Sequence, residues 1–364
     1  LAQVHFAELF DGTQVAVKIQ RPQAKEAITA DLALLSGWIK LFCRLFPKKA
    51  RRFNLAAGFQ EFGRYTLQEL DFVLEANTME RFRHNFADQH DVIIPQVYDD
   101  LVKPRVLTME RITGQRLSEI TPTLSTQKRK QLSHRLLEIE MKMFISDGVF
   151  HADLHPGNIL FLGDERIALL DFGMYGELSQ EHRDHFILYW LAVFQRQTRR
   201  AFYHLVRQTR PLKNADEEAY YQSFKVMADK FYSSITLKVS LMQTYLAIIV
   251  SGAKYGFVFP SDLLLQAKAL TTAEALAFTL TPDFKFTKDA SPILAHEFAL
   301  RATDFARLKE TAEQILPELL LFGELPPASS REQAATHSPL PFDWSDVLKL
   351  LDKQVRALQP DTNS

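Results

Sequence analysis

Gly148-Val-Phe-His-Ala-Asp-Leu-His-Pro-Gly-Asn158, followed by Asp171-Phe-Gly173, is the stretch whose reading decides the fold. Phosphoryl transfer needs a carboxylate to orient the nucleophile, oxygen ligands to hold a divalent metal against the phosphates, and a cation on the α and β phosphates. Asp153 and Asn158 stand five residues apart, the offset of an H-x-D-x-x-x-x-N loop whose Asn binds metal. Residues 159–162 and 167–170 read as two short strands joined at Gly163-Asp164. That hairpin returns Asp171, at the head of a D-F-G turn, to the loop.

Upstream, the first twenty residues read as a β-hairpin turning at Asp11-Gly12. Val15, Val17 and Ile19 point one way, and Ala16, Lys18 and Gln20 the other. Lys18, on the Ala16-Val17-Lys18-Ile19 strand, matches the phosphate-pairing lysine of kinase chemistry. Each element is weak alone, but loop, hairpin, D-F-G and strand lysine in this order are specific. The lysine needs a carboxylate partner from a helix, with Glu61, Glu69, Glu75 and Glu80 as candidates. Asp71 and Glu75 are four residues apart, a like-charge repulsion on a helix unless cations offset it. Met109 ends a strand before Glu110-Arg111-Ile112, where a hinge would receive adenine. It reads as a gatekeeper or as a core methionine at a strand end.

Composition fits this reading. The chain has 364 residues, 46% hydrophobic and 24% charged, enough for about two domains or one bilobed domain. Thirteen Gly and sixteen Pro exclude a fibrous chain. The net charge of -1 argues against a broad nucleic-acid-binding surface. Cys43 is the only cysteine, which rules out an internal disulfide and a Cys-rich zinc site. No uninterrupted apolar run approaches the roughly 18–20 residues of a spanning helix. The chain opens at Leu1 inside what reads as a structured segment, so on this reading it is a fragment.

Residues 23–47 and 56–86 read as mainly helical, interrupted by Lys48, Lys49, Arg51 and Arg52. That cluster is a solvated turn or, less simply, a membrane-attracted patch. Residues 92–98 and 105–109 read as strands, and Gly114 breaks the chain. Residues 126–147 read as one helix with Leu132, Leu136, Ile139 and Met143 on a stripe, ended by Gly148. Nearly everything from 181 to 322 reads as helix. The proline- and serine-containing residues 323–342 read as a linker, and residues 343–358 as an amphipathic helix, docked on the body or facing a partner or membrane.

At this point the sequence resembles the UbiB/ADCK, or ABC1, family of atypical kinase-like proteins. Leu1-Ala-Gln-Val-His5 is similar to the tail of that family's alanine-rich loop, and Val15-Ala-Val-Lys-Ile-Gln-Arg-Pro22 to its lysine strand. Glu69-Leu-Asp71 is similar to its E-x-D motif, with Glu75 at the lysine-pairing glutamate. Residues 148–158 and 171–173 resemble its catalytic and metal motifs, and Val106-Leu-Thr-Met-Glu110 its hinge. The likeness runs from residue 1 to about 290. The family's K-x-G-Q motif would lie before Leu1, which makes this an N-terminally truncated chain on that reading. No A-P-E motif follows Asp171, which disfavours a peptide substrate.

The resemblance implies an α+β, bilobed protein-kinase-like fold. Residues 1–110 would be a small β-rich N-lobe with a helical insert at 23–86, and 111–322 a large helical C-lobe. It implies ATP and Mg2+ as cofactors. Asp153, Lys18 and Glu75 would be catalytic, Asn158 and Asp171 metal ligands. Lys18, Met109, Glu110, Ile112, Glu69 and Asp71 would contact nucleotide. The implied role is ATPase or kinase chemistry supporting ubiquinone synthesis, with quinone-biosynthesis proteins and membrane lipid as partners. The location would be the cytoplasmic face of a bacterial inner membrane, or a mitochondrion. Two alternatives stand beside it: a phosphotransferase of aminoglycoside- or choline-kinase type, and a nucleotide-sensing scaffold of a lipid-biosynthetic complex without turnover.

Overall fold

The first two strands form where alternation and a tight turn coincide. In the computed structural model, which describes residues 2–47, 50, 55–162, 166–233, 240–290, 292–294 and 296–297, β1 (Ala2–Glu8) pairs antiparallel with β2 (Gln14–Gln20). The reversal uses Gly12 at φ 88°, a conformation glycine reaches without steric cost, and the Asp11 carboxylate accepts the Thr13 N–H at 2.9 Å.

The insert follows as α1 (Ala24–Leu45) and α2 (Leu55–Gln68), packed on each other. No side chain of α1 is buried. At the end of α2, the Tyr65 hydroxyl donates to Asp262 Oδ1 at 3.0 Å and ties the insert to the helical lobe. Asp71 then caps α3 (Phe72–Asn85), its carboxylate accepting from the Val73 and Leu74 amides at 3.1 and 3.2 Å. Phe72, Ala76, Met79 and Phe82 fall at helical spacing and are buried.

The expected strand at 92–98 is split. Only β3 (Val92–Ile93) is regular, Val97 makes one isolated bridge to Met109, and Pro95 between them has no N–H to give a ladder. β4 (Val106–Glu110) completes a three-stranded sheet in the order β1-β2-β4, with Ala16 opposite Met109 and Lys18 opposite Leu107.

The second lobe begins with β5 (Gln115–Arg116), α4 (Leu117–Ile120) and α5 (Thr126–Lys142). The helix expected over 126–147 changes its winding at Met143–Asp147 to a π turn, and Gly148 stops it at φ 70°. The Arg183 guanidinium donates to the Ile145 and Ser146 carbonyls at 3.2 and 2.8 Å, groups the widened turn presents. Leu136, Ile139 and Met143 of the expected stripe are buried, while Leu132 is only half-buried.

β6 (Val149–His151), β7 (Ile159–Phe161), β8 (Ile167–Leu169) and β9 (Tyr175–Glu177) frame the loops. β7 and β8 form the expected hairpin within a sheet ordered β3-β8-β7-β5, and β9 pairs with β6. Beyond, α6 (Gln180–Phe194), α7 (Thr198–Val206), α8 (Glu217–Ser233), α9 (Leu241–Gly252), α10 (Ser261–Leu280) and the short α11 (Phe286–Asp289) give the helical lobe. A two-stranded pair at Arg210–Pro211 and Phe257–Val258 interrupts the helices.

α10 leaves the expectation about apolar runs standing, because Asp262, Lys268 and Glu274 interrupt it. Its 20 residues are long and apolar enough, by length and composition, to cross a membrane. Ten of its side chains are nevertheless buried in the fold, where it packs against α5 and α9 as a core helix. Buried Glu274 earns its place by capping α9, accepting from the Ser240 hydroxyl and from the Leu241 and Met242 amides at 3.1 and 3.2 Å. The basic cluster Lys48, Lys49, Arg51 and Arg52, the Gly163-Asp164 turn, the linker at 323–342 and the helix at 343–358 lie outside the described residues.

Candidate active site

The cleft between the lobes has a volume of about 300 Å³ and is lined by Val4, Lys18, Glu69, Phe72, Asp153, Asp171 and Met174, among others. Strand pairing explains how the sheet contributes. Val4 stands opposite Lys18 across β1 and β2, so both fall on one face of the sheet.

Lys18 is the centre of the charge arrangement. Its Nζ donates to Glu75 Oε1 and Oε2 at 2.8 and 2.9 Å and to Asp171 Oδ1 at 2.9 Å. Burial alone would depress the lysine's pKa, but Glu75 and Asp171 outweigh it and hold the ammonium above its ordinary value. Glu75 is only 2% exposed, and burial pushes its carboxyl up to about 7 despite Lys18. Asp171 is more open; burial raises it, Lys18 more than compensates, and the net direction is downward. Glu75 is in contact with Lys18, and Glu80 instead pairs with Arg83 at 2.9 Å.

The same geometry accounts for the Asp71–Glu75 spacing. Asp71 spends its carboxylate on the α3 N-terminus, and Glu75 spends its own on Lys18. The E-x-D segment therefore divides: Glu69 faces the cleft, while Asp71 is an N-cap and is not among the lining residues. Burial, then Asp171 and Asp153, raise the Glu69 pKa.

The loop of Asp153 is pinned at both ends. The Asp153 N–H donates to His151 Nδ1 at 3.1 Å, and His151 Nε2 sits 3.1 Å from the Leu170 carbonyl. With Nδ1 accepting, the proton belongs on Nε2, and burial holds this histidine below its usual pKa and so neutral. Asn158 Nδ2 donates to the Asp153 carbonyl at 3.0 Å, and the Leu170 amide donates to the Asn158 carbonyl at 2.8 Å. Asn158 is buried, and it does not line the cleft. Phe172 packs its ring 4.9 Å from Phe82 and 5.2 Å from His151, so the D-F-G turn is fastened to α3 and to the loop together.

The hinge residues are placed apart from the phosphate end. Met109 is buried beside Ala16 at the end of β4, the place of a core methionine, and it does not line the cleft. Glu110 bonds Gln96 through backbone and carboxylate, and neither Glu110 nor Ile112 lines the cleft.

Oxygen donors for a cation are Asp171 and, by sequence, Asn158. Among the described residues no three His, Cys, Asp or Glu side chains are grouped to hold a metal alone. Magnesium fits such a donor set, because it commonly takes one or two carboxylates plus phosphate oxygens and keeps waters.

Lys268 was invisible to the sequence reading. It reaches from α10 to put its Nζ 3.0 Å from Asp153 Oδ1 and 3.7 Å from Met174 Sδ. The one available signal was a lone cation in an apolar helix, which is costly unless it is aimed at a polar site.

Comparison with known proteins agrees with the geometry. Residues 1–205 match the family model of the ABC1 atypical kinase-like domain. The chain is 28% identical over 326 residues to "Protein ACTIVITY OF BC1 COMPLEX KINASE 7, chloroplastic" of Arabidopsis thaliana, covering 88% of this chain and 45% of that protein. It is 29% identical over 330 residues to "Probable protein kinase UbiB" of Azotobacter vinelandii, covering 88% of this chain and 60% of that protein. The chain thus spans about half the length of these curated relatives, 45% and 60%. Among solved structures, the Rv3197–erythromycin complex of Mycobacterium tuberculosis superposes with TM-score 0.57 at 23% identity, over 77% of this chain and 71% of that one. The α+β bilobed kinase-like fold expected from the sequence is the fold found.

Proposed function

The chain belongs to the ABC1 atypical kinase-like family, and on that premise we propose that it binds MgATP in the cleft and acts on the terminal phosphoryl group, supporting isoprenoid-quinone synthesis at a membrane. The observation that carries this reading is the convergence of Lys18, Glu75 and Asp171 within 2.9 Å, with Asp153 lining the same cleft. Four residues far apart in sequence are held together at a cost in burial that packing alone does not require.

In this reading Lys18, steadied by Glu75, fixes the α and β phosphates. Bound magnesium would neutralise phosphate charge, held by Asp171 and Asn158. Asp153 orients an acceptor hydroxyl or water and receives its proton. The acceptor oxygen bonds to the γ phosphorus as the bond to the β–γ bridging oxygen breaks, and ADP leaves with that electron pair. Gly148, His151 and Phe172 hold the loop in register.

A small acceptor, or water alone, suits the region after Asp171 better than a peptide. Tyr175–Glu177 closes directly on β6 and Ser179 caps α6, leaving little chain for a substrate platform. Membrane proximity is supported by α1, where Trp38, Leu41, Phe42 and Leu45 are exposed beside Lys40 and Arg44. The quinone connection rests on family resemblance.

The test is the melting temperature with MgATP, MgADP and metal-free ATP, beside the Asp171→Asn and Asp153→Asn variants. Binding to the native state alone raises the melting temperature. A metal-dependent rise that Asp171→Asn abolishes is expected, together with MgATP binding kept but turnover lost in Asp153→Asn. No rise with any nucleotide would overturn the proposal.

A further inference from the structure

Lys268 stands on α10, beyond the residues 1–205 that match the family model, yet its ammonium contacts the carboxylate of Asp153. We propose that Lys268 is a second phosphate-side cation of the cleft, which pairs with Asp153 when nucleotide is absent and moves to the terminal phosphoryl oxygens when it is bound. The inference deepens the reading above and rests on it.

The first argument is symmetry of charge across the cleft. Lys18 pairs with Asp171 at 2.9 Å on one side, and Lys268 pairs with Asp153 at 3.0 Å on the other. Each of the two carboxylates needed for chemistry is covered by one lysine. Glu69, Glu75, Asp153 and Asp171 against Lys18 and Lys268 leave an excess of negative charge. A polyphosphate entering such a cleft is repelled unless both cations turn toward it.

The second argument is freedom to move. Glu75 locks Lys18, whereas the contacts of Lys268 within this site are Asp153 and the Met174 sulfur, and its side chain is 47% exposed. A four-carbon stem ending in three rotatable donors can exchange a carboxylate for a phosphoryl oxygen without moving the helix. Its base is rigid, because α10 is fixed through Leu263, Ala267 and Leu270, all buried. Asp153 Oδ1 is then freed for the acceptor as the γ phosphoryl arrives, while Oδ2 keeps His155 Nε2 at 3.7 Å. The helical lobe therefore completes the site rather than merely supporting it.

The experiment compares Lys268→Ala, Lys268→Arg and, as a control at an exposed position, Lys254→Ala in the full chain. MgATP and MgADP affinities are measured by calorimetry, and turnover is measured in parallel. The unaltered protein should prefer MgATP over MgADP. Lys268→Ala should weaken MgATP by about tenfold or more, as loss of a charged hydrogen bond does, while MgADP is unchanged. Lys268→Arg should restore part of the preference, and Lys254→Ala none of the loss. If Lys268→Ala weakens both nucleotides equally, or neither, Lys268 does not meet the terminal phosphate and the inference fails while the functional reading stands. If the unaltered chain binds no nucleotide, both fall.

Discussion

Glu75 holds Lys18 at 2.8 Å from a site that is only 2% exposed. A carboxylate so buried is stable only because the ammonium compensates for lost hydration, and only in part. The pair explains why Lys18 faces the cleft without collapsing onto the sheet, and why α3 must pack behind β2.

The first prediction is a pH dependence of stability. Burial raises the Glu75 pKa from 4.5 to about 7. A raised carboxyl pKa contributes stability that is fully present below pH 4.5 and lost as pH rises through 7. The facing charges do not cancel this window: Lys18 stays charged throughout it, and the lowered pKa of Asp171 acts below its ordinary value of 3.8. Unfolding free energy of the unaltered chain, measured in urea, should fall by up to roughly 3 kcal/mol between these limits, relative to Glu75→Gln. Parallel profiles for the two proteins would refute it.

Lys18→Ala should fold and should lose the nucleotide-induced rise in melting temperature. Removing one partner of a buried pair ordinarily costs about 3–5 kcal/mol, because it strands the other charge. Here Glu75 has an escape, since its carboxyl already titrates near neutrality and can take up a proton. The loss should therefore be smaller at pH 6 than at pH 8. Urea melts at both values check it.

How much of this was legible depends on whether a signal was local. The hairpin at Asp11-Gly12, the β7–β8 hairpin and the Gly148 stop are written in residues next to one another, and each formed as expected. The split at Pro95 was equally local, yet its alternating apolar neighbours outweighed it in the sequence reading. The choice among Glu61, Glu69, Glu75 and Glu80 was not legible without the resemblance, because it depends on which turn of α3 passes behind Lys18. Lys268 lies 115 residues from its partner Asp153, and no spacing rule connects them.

Gly176→Ala should be destabilising for a reason unrelated to backbone freedom. Gly176 stands opposite Phe150 in the β6–β9 pair, and an added Cβ would lie 2.2 Å from the Phe150 ring. Phe150 is fully buried between Phe144 and its neighbours, so the ring has nowhere to go. Overpacking of this kind costs about 1–3 kcal/mol. Phe150 precedes His151 directly, so turnover should fall further than the loss of folded protein accounts for. A shift of the urea midpoint under a few tenths of a molar would contradict the argument.

Asp171 has a positive φ of 56°, where a side chain is tolerated best when it is Asn or Asp. The strain is offset by its bonds: Oδ1 accepts from Lys18 at 2.9 Å and lies 3.4 Å from the Gly173 amide that donates to it. Two substitutions separate backbone from charge. Asp171→Asn keeps a residue that accepts this conformation and an oxygen for both donors, but removes the charge. Asp171→Ala removes the charge and puts a poorly suited residue at the same φ. Asp171→Ala should be the less stable of the two by about 1–2 kcal/mol, by the cost of a left-handed residue, while both lose the metal-dependent response to ATP. Equal stability would mean that the turn relaxes once Lys18 lets go, and that the conformation at 171 is held by the ion pair alone.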